Sequence, residues 1–146
     1  MKNTVIDTNI FMDFLFKRQG HESVVEVFKF CIKGNIKGFI CAHEITTLCY
    51  FLDKAEKDKS KTKKVISQLM KRFTVIEINE ELLNGALNSE IDDFEDAVIE
   101  VSAINRNIDY IITKNIKDFK KSIIPVKTPE ELILLINGEI VPTLPQ

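Results

Sequence analysis

The sequence predicts an α/β fold in which the strands of a parallel sheet alternate with helices. Short apolar runs rich in β-branched residues recur along the chain, and segments with apolar residues at helical spacing separate them. The run Tyr110-Ile111-Ile112 is continuously apolar, which is typical of a strand covered on both faces. Because strands joined by helices take right-handed crossovers, we expect helices on both faces of the sheet.

Strands are predicted where short β-branched or apolar runs stand between turn residues. The first strand ends in Thr4-Val5-Ile6, and the third continues from Phe73 into Thr74-Val75-Ile76. In chain order, the five predicted strands cover residues 3–6, 38–41, 73–78, 109–113 and 123–126.

Helices are predicted where apolar residues recur every three to four positions. Several ends carry local signals: Gly34 closes the second helix, Asn79 caps the fifth, and Thr128 precedes Pro129 at the start of the last, which Gly138 ends. In chain order, the predicted helices cover residues 9–16, 21–33, 42–53, 62–72, 80–89, 95–106 and 129–137, with a turn or single helical turn at 117–119.

Composition is that of a globular protein, with 146 residues, 45% hydrophobic and 29% charged. We expect one domain over residues 1–138 and a C-terminal tail over 139–146. No apolar run approaches the roughly 20 residues of a membrane span, and no secretory signal pattern precedes Asp7, so the cytoplasm is the expected compartment. The three cysteines include no close pair, which argues against a disulfide framework or a thiolate zinc site.

Acidic and polar residues follow the predicted strands at their carboxyl ends. Because those ends share one edge of a parallel sheet, these side chains are expected to converge. Asp93 and Asp96 join them if the helix that they open begins at the same edge. The residues that follow the first, second and fourth strands are Asp7, Asn9, His43, Glu44, Thr113, Asn115 and Asp118.

Carboxylates gathered in one pocket repel each other. A pair about 4 Å apart costs about 4 kcal/mol at an effective dielectric constant of about 20. Proton sharing, a basic partner or a divalent cation relieves such repulsion. Oxygen ligands without cysteine favour Mg²⁺ or Mn²⁺ over zinc, and such a cation suits cleavage of a phosphodiester by activated water.

Simpler roles remain open for the same residues. Asp7 could be a helix N-cap, and Glu44 or Asp96 could be an exposed first-turn acid favoured by the helix dipole. His43 could be structural or merely exposed.

The six lysines between positions 54 and 64 form either a solvated face or a phosphate-contacting rim. The net charge of −2 does not indicate a nucleic-acid binder, although phosphate contacts need only local positive charge.

Four stretches together resemble the PIN-domain family, which includes the ribonuclease toxins of VapC-type toxin–antitoxin pairs. The stretches are residues 5–10, 44–45, 93–97 and 110–119. The resemblance implies a three-layer α/β/α sandwich around a parallel five-stranded sheet. It also implies Mg²⁺- or Mn²⁺-dependent cleavage of RNA, an antitoxin partner and, as in many members, a homodimer.

The resemblance also assigns roles to single residues. Asp7, Glu44 and Asp96 match the core acids, and with the accessory acid Asp93 they would hold the metal. Many members have Asp where this chain has Asn115, so a catalytically weak RNA- or protein-binding module is the alternative function. A metal-dependent phosphatase would need a second acid two residues after Asp7, where Asn9 stands. The supporting residues are Asn9, Asp93, Thr113, Asn115 and Asp118.

Overall fold

The structure, a computed structural model, describes residues 1–140. Its strands are β1 (Lys2–Ile6), β2 (Ile36–Cys41), β3 (Thr74–Ile76), β4 (Tyr110–Ile112) and β5 (Val126–Lys127). All neighbouring strands pair in parallel, in the order β3-β2-β1-β4-β5. The predicted α/β class with a parallel five-stranded sheet is therefore confirmed.

Helices cover both faces of this sheet. They are α1 (Thr8–Leu15), α2 (His21–Lys33), α3 (Ala42–Glu56), α4 (Lys59–Arg72), α5 (Glu80–Leu87), α6 (Phe94–Asn105) and α7 (Pro129–Ile140), with a 3₁₀ turn at Ile116–Phe119. None of the helices within residues 1–140 is both long and apolar enough to cross a bilayer.

Alternating side chains of the strands build two separate cores. Ile6 and Ile112 point to one face, where they pack with residues of α1, α2, α3, α4 and α7. Val5 and Ile111 point to the other face, where they pack with α5, α6 and Phe119 of the 3₁₀ turn. The period of two along each strand thus produces the predicted three-layer sandwich.

Some predicted boundaries are wrong. Gly138 does not end the last helix, which runs to Ile140 because one glycine costs only about 1 kcal/mol while Leu132 and Ile136 are buried in the core. The last strand begins at Val126, since the Ser122 hydroxyl bonds both the N–H and the carbonyl of Ile124 and holds a turn there.

The lysine-rich segment is mostly helical. α3 continues to Glu56 and α4 begins at Lys59, so only Lys57 and Asp58 separate them. The predicted tail at residues 141–146 lies outside the described residues, and the domain boundary after residue 138 stays a prediction.

Candidate active site

A cleft of about 350 Å³ opens at the carboxyl ends of the central strands. We call it the acidic cleft. Predicted residues that line it are Asp7, Asn9, Asp96, Asn115 and Asp118. Glu44, Asp93 and Thr113 do not line it, although Thr113 is hydrogen-bonded to Asp7 and Asp93 to the backbone of Asp96.

Asp7 stands between the end of β1 and the start of α1. Its Oδ1 accepts a 2.8 Å hydrogen bond from the N–H of Thr8, so it is the N-cap of α1. Its Oδ2 accepts a 2.7 Å bond from the hydroxyl of buried Thr113, which follows β4. Asp7 is therefore both the N-cap of α1 and a lining residue of the acidic cleft.

Glu44 lies in the first turn of α3 and is 0% exposed. The alternative of an exposed first-turn acid is wrong for this residue. Neither carboxylate oxygen has a hydrogen-bond partner. Burial raises the pKa of Glu44 well above its usual range, and the charges of Asp7 and Asp96 raise it further. The polar backbone and thiol groups of the nearby Cys41 lower this pKa.

The start of α6 brings Asp96 to the same place. Asp93 is the N-cap of α6, and its Oδ1 accepts a 3.0 Å bond from the N–H of Asp96. Burial raises the pKa of half-buried Asp96 to about 7, with further contributions from the charges of Asp7, Asp93 and Asp118. The condition placed on this helix, that it begins at the edge where the strands end, is met.

The pKa of Asp7 is also raised, for similar reasons. Burial raises its pKa, the bonds from Thr113 and Thr8 lower it, and the charges of Asp118 and Asp93 raise it. The fold thus gathers carboxylates from the end of β1, α3, α6 and the 3₁₀ turn, and the negative charge of its neighbours raises the pKa of Asp7, Glu44 and Asp96.

A hard divalent cation fits this donor set. All the candidate ligands are carboxylate oxygens, and buried Glu44 has two oxygens without a partner. In the observed side-chain positions, no group of three His, Cys, Asp or Glu residues within 1–140 is arranged to hold a metal ion. Binding would therefore require these side chains to move closer together.

Asn115 and Asp118 occupy the fourth side of the cleft together. The N–H of Asn115 donates a 3.1 Å bond to the Thr113 hydroxyl, and its neutral side chain faces the cleft. Asp118 supplies negative charge there, because it raises the pKa values of Asp7 and Asp96. Asn9 adds a buried amide oxygen, Oδ1, without a partner.

Sequence reasoning missed several residues around the cleft. Glu95, Thr47, Phe51 and Arg18 line it. The signal for Phe51 was available, because it lies four residues after Thr47 and seven after Glu44 on a predicted helix, which places all three on one face. No comparable signal marks Arg18, which lies in the turn after α1.

An ion pair between a buried acid and a partly exposed lysine was also missed. Lys114 Nζ lies 2.7 Å from Oδ2 of Asp13, which is 1% exposed, in a close ion pair rather than a well-aligned hydrogen bond. It joins α1 to the loop that carries Thr113 and Asn115.

His43 is half-buried and lies outside the lining of the cleft. Its two ring nitrogens have no hydrogen-bond partner, and burial lowers its pKa. Because a structural histidine normally has hydrogen-bond partners, the structural role of His43 stays a prediction.

Comparisons with known proteins concern the family and the fold of this chain. A sequence profile for a family described as "PIN domain" matches residues 3–117. Among curated proteins no significant match is found. Solved structures show the same fold.

VapBC2 from Rickettsia felis, bound to a promoter DNA fragment, is similar with a TM-score of 0.66 and 19% identity, over 86% of this chain and 98% of that one. A toxin–antitoxin complex from Klebsiella pneumoniae gives 0.64 and 23%, over 86% and 97%. VapBC-1 from nontypeable Haemophilus influenzae gives 0.65 and 16%, over 88% and 98%.

Proposed function

Because this chain belongs to the PIN-domain family, we propose that it is a metal-dependent endoribonuclease that hydrolyses phosphodiester bonds of RNA. One observation carries the proposal. Asp7, Glu44 and Asp96 come from three separate elements to one place, where burial first and their mutual repulsion second raise the pKa of Glu44 and of Asp96. Burying these carboxylates together lowers the stability of the fold, and a bound cation would offset that loss. Such a cluster is therefore more readily explained by a functional site than by stability.

The proposed ligands are Asp7, Glu44, Asp96 and Asp93. When bound there, Mg²⁺ or Mn²⁺ supplies a lowered pKa for water and stabilisation of negative charge on the phosphate. Thr113 and the N–H of Thr8 hold the Asp7 carboxylate in one orientation. The amides of Asn9 and Asn115 and the charge of Asp118 support the other sides.

Proton release accompanies cation binding in this arrangement. The pKa of Asp96 is about 7, so near neutral pH this side chain is protonated in a large fraction of the molecules before the cation binds. A ligand carboxylate must lose that proton. Affinity for the cation is therefore expected to rise with pH through neutrality.

Cleavage of RNA by the purified protein tests the proposal. Wild type is expected to cut single-stranded RNA with Mn²⁺ or Mg²⁺, and Asp7→Asn and Asp96→Asn to lose the activity. Asp92→Asn is the matched control, because Asp92 is exposed and outside the cleft. Equal activity in wild type and both site variants would show that the assigned site is wrong.

A catalytically weak binding module is the second candidate. The neutral Asn115, in the cleft where many members have Asp, favours it. Binding of RNA by wild type without any cleavage would support this function, and gain of cleavage by Asn115→Asp would assign the weakness to that position.

We further propose an antitoxin protein as the partner. Its support is the fold shared with solved toxin–antitoxin complexes. An apolar groove of about 550 Å³ between α2 and α4 offers a surface, with Ile32 exposed and Lys29 and Arg72 among its lining.

Co-purification with the product of a small adjacent gene tests the partner. Ile32→Asp is expected to weaken the complex, while Leu134→Asp on α7 is the control, because Leu134 is also exposed and lies outside the groove. A homodimer stays a prediction, which light scattering of the purified chain tests.

A further inference from the structure

A smaller hollow of about 230 Å³ adjoins the acidic cleft, and the two share Met12, Arg18 and Phe51. Its remaining lining is Phe16, Lys54 and Ala55. Two cations and no acid line this hollow, in contrast to the neighbouring cleft. We call it the aromatic hollow.

Phe51 is the exposed aromatic side chain of this hollow. It is 39% exposed, although it is a large apolar residue on a helix that packs against the sheet. Because α3 begins beside Glu44, Phe51 lies roughly 10 Å further along the helix axis. The same face of α3 therefore carries a buried acid at its start and an exposed aromatic ring farther out.

Arg18 is held in place by the end of α1. Lys17 takes a left-handed φ of 50°, and the N–H of Arg18 donates a 3.1 Å bond to the carbonyl of Asp13, as in a Schellman motif. The Arg18 guanidinium lies 5.9 Å from the centre of the Phe16 ring. Within residues 1–140 it pairs with no carboxylate, so its charge is available to a ligand.

We propose that the aromatic hollow binds one nucleotide of single-stranded RNA, with the base stacked on Phe51 and the adjoining phosphate contacted by Arg18 and Lys54. The inference deepens the proposed function, since the strand cut in the acidic cleft would continue into this hollow. Stacking on an exposed aromatic ring beside cations is how proteins hold single strands without reading sequence. Arg18 and Lys54 also supply the local positive charge that phosphate contacts require in a chain whose net charge is −2.

Binding of oligonucleotides by fluorescence anisotropy tests this subsite. The probe is a fluorescein-labelled oligouridylate of about ten nucleotides, and EDTA prevents cleavage. Phe51→Ala is expected to weaken binding about 5- to 100-fold, and Phe51→Tyr to restore it because the ring is kept. Arg18→Gln is expected to reduce the salt dependence, lowering the slope of log K against log salt by about 0.7.

A second probe separates stacking from charge. On an abasic oligonucleotide of the same length, Phe51→Ala should bind like wild type, while Arg18→Gln should still be weaker. Lys33→Gln is the charge control, because α2 ends there at the opposite edge of the sheet. Thermal melting of each variant confirms that it is folded.

Two results would overturn the subsite: wild-type affinity of Phe51→Ala for the oligouridylate, or no binding of RNA by wild type. Failure of the proposed nuclease is distinguishable. If wild type cuts no RNA but these variants lose binding as expected, the subsite stands and the nuclease proposal falls.

Discussion

The hydroxyl of Thr113 donates a 2.7 Å hydrogen bond to Oδ2 of Asp7, across 106 positions of sequence. This bond joins the ends of β4 and β1 at the acidic cleft. It also lowers the pKa of Asp7 against the effect of burial. One buried hydroxyl thus helps to keep a buried carboxylate ionised.

Removing that hydroxyl should destabilise the protein and weaken cation binding. Thr113→Val leaves Oδ2 of Asp7 and the N–H of Asn115 without a partner, while Oδ1 of Asp7 keeps its bond from Thr8, at an expected cost of about 1–3 kcal/mol in unfolding free energy. Thr113→Ser keeps the hydroxyl and is the control. Urea denaturation and Mn²⁺ titration measure both effects. Equal stability of the Val and Ser variants would contradict this role.

Stability without metal should fall as pH rises through neutrality. Burial and repulsion raise the pKa of Asp96 from 3.8 to about 7. Between those values the folded state retains a proton that the unfolded chain releases, so the destabilisation is absent below the lower value and complete above the upper one. Asp7 and Glu44, also raised, act in the same direction.

Asp96→Asn should therefore raise the melting temperature in EDTA at about pH 8 by about 2–4 °C, and flatten its pH dependence. Thermal melting in EDTA between about pH 5 and pH 8 measures this. A wild-type melting temperature that rises with pH across that interval would count against the charge repulsion.

Mn²⁺ or Mg²⁺ should stabilise the protein, and more strongly at alkaline than at acidic pH. A cation present at about 100 times its dissociation constant adds about 2.7 kcal/mol. Glu44→Gln keeps the shape of the side chain but removes its charge, so it should lose most of this shift. The readout is the melting temperature as a function of cation concentration, with Asp92→Asn as control. An undiminished shift in Glu44→Gln would remove Glu44 from the ligands.

The ion pair between Asp13 and Lys114 should respond unequally to its two single substitutions. Lys114→Met leaves a carboxylate that is 1% exposed without its cation, at an expected cost of about 1–3 kcal/mol. Asp13→Asn leaves a lysine that is 40% exposed and can be solvated, so it should cost less. Chemical denaturation of both variants decides, and a larger loss in Asp13→Asn would reverse the assignment.

Two glycines should respond to alanine in opposite directions. A Cβ at Gly38 would lie 2.7 Å from Cδ1 of Phe73 and 2.9 Å from the sulfur of Cys31, so Gly38→Ala should cost about 1–3 kcal/mol. At Gly138 a Cβ meets nothing within 4 Å, so Gly138→Ala in α7 should stabilise by about 0.5–1 kcal/mol. Thermal melting of the pair checks this, and a neutral Gly38→Ala would show that Phe73 can move aside.

The local periods of two and 3.6 residues determined much of the fold. Thr4-Val5-Ile6 and Tyr110-Ile111-Ile112 are strands because their side chains suit a sheet covered on both faces. The acid after the first strand and its possible role as a helix cap were also readable, since both depend on neighbouring residues, whereas the capping of α6 by Asp93 was not predicted. The ends of α7 and β5 were misjudged, because packing and a side-chain turn decided them.

Only the tertiary structure decided which of these residues meet. The complete burial of Glu44, the bond from Thr113 to Asp7 and the approach of Asp96 all depend on contacts between elements far apart in the chain. Arg18 and Phe51 meet at one hollow because α1 and α3 pack side by side. Periodicity determines which face a residue occupies, whereas its burial and its pKa depend on the neighbours that the assembled fold supplies.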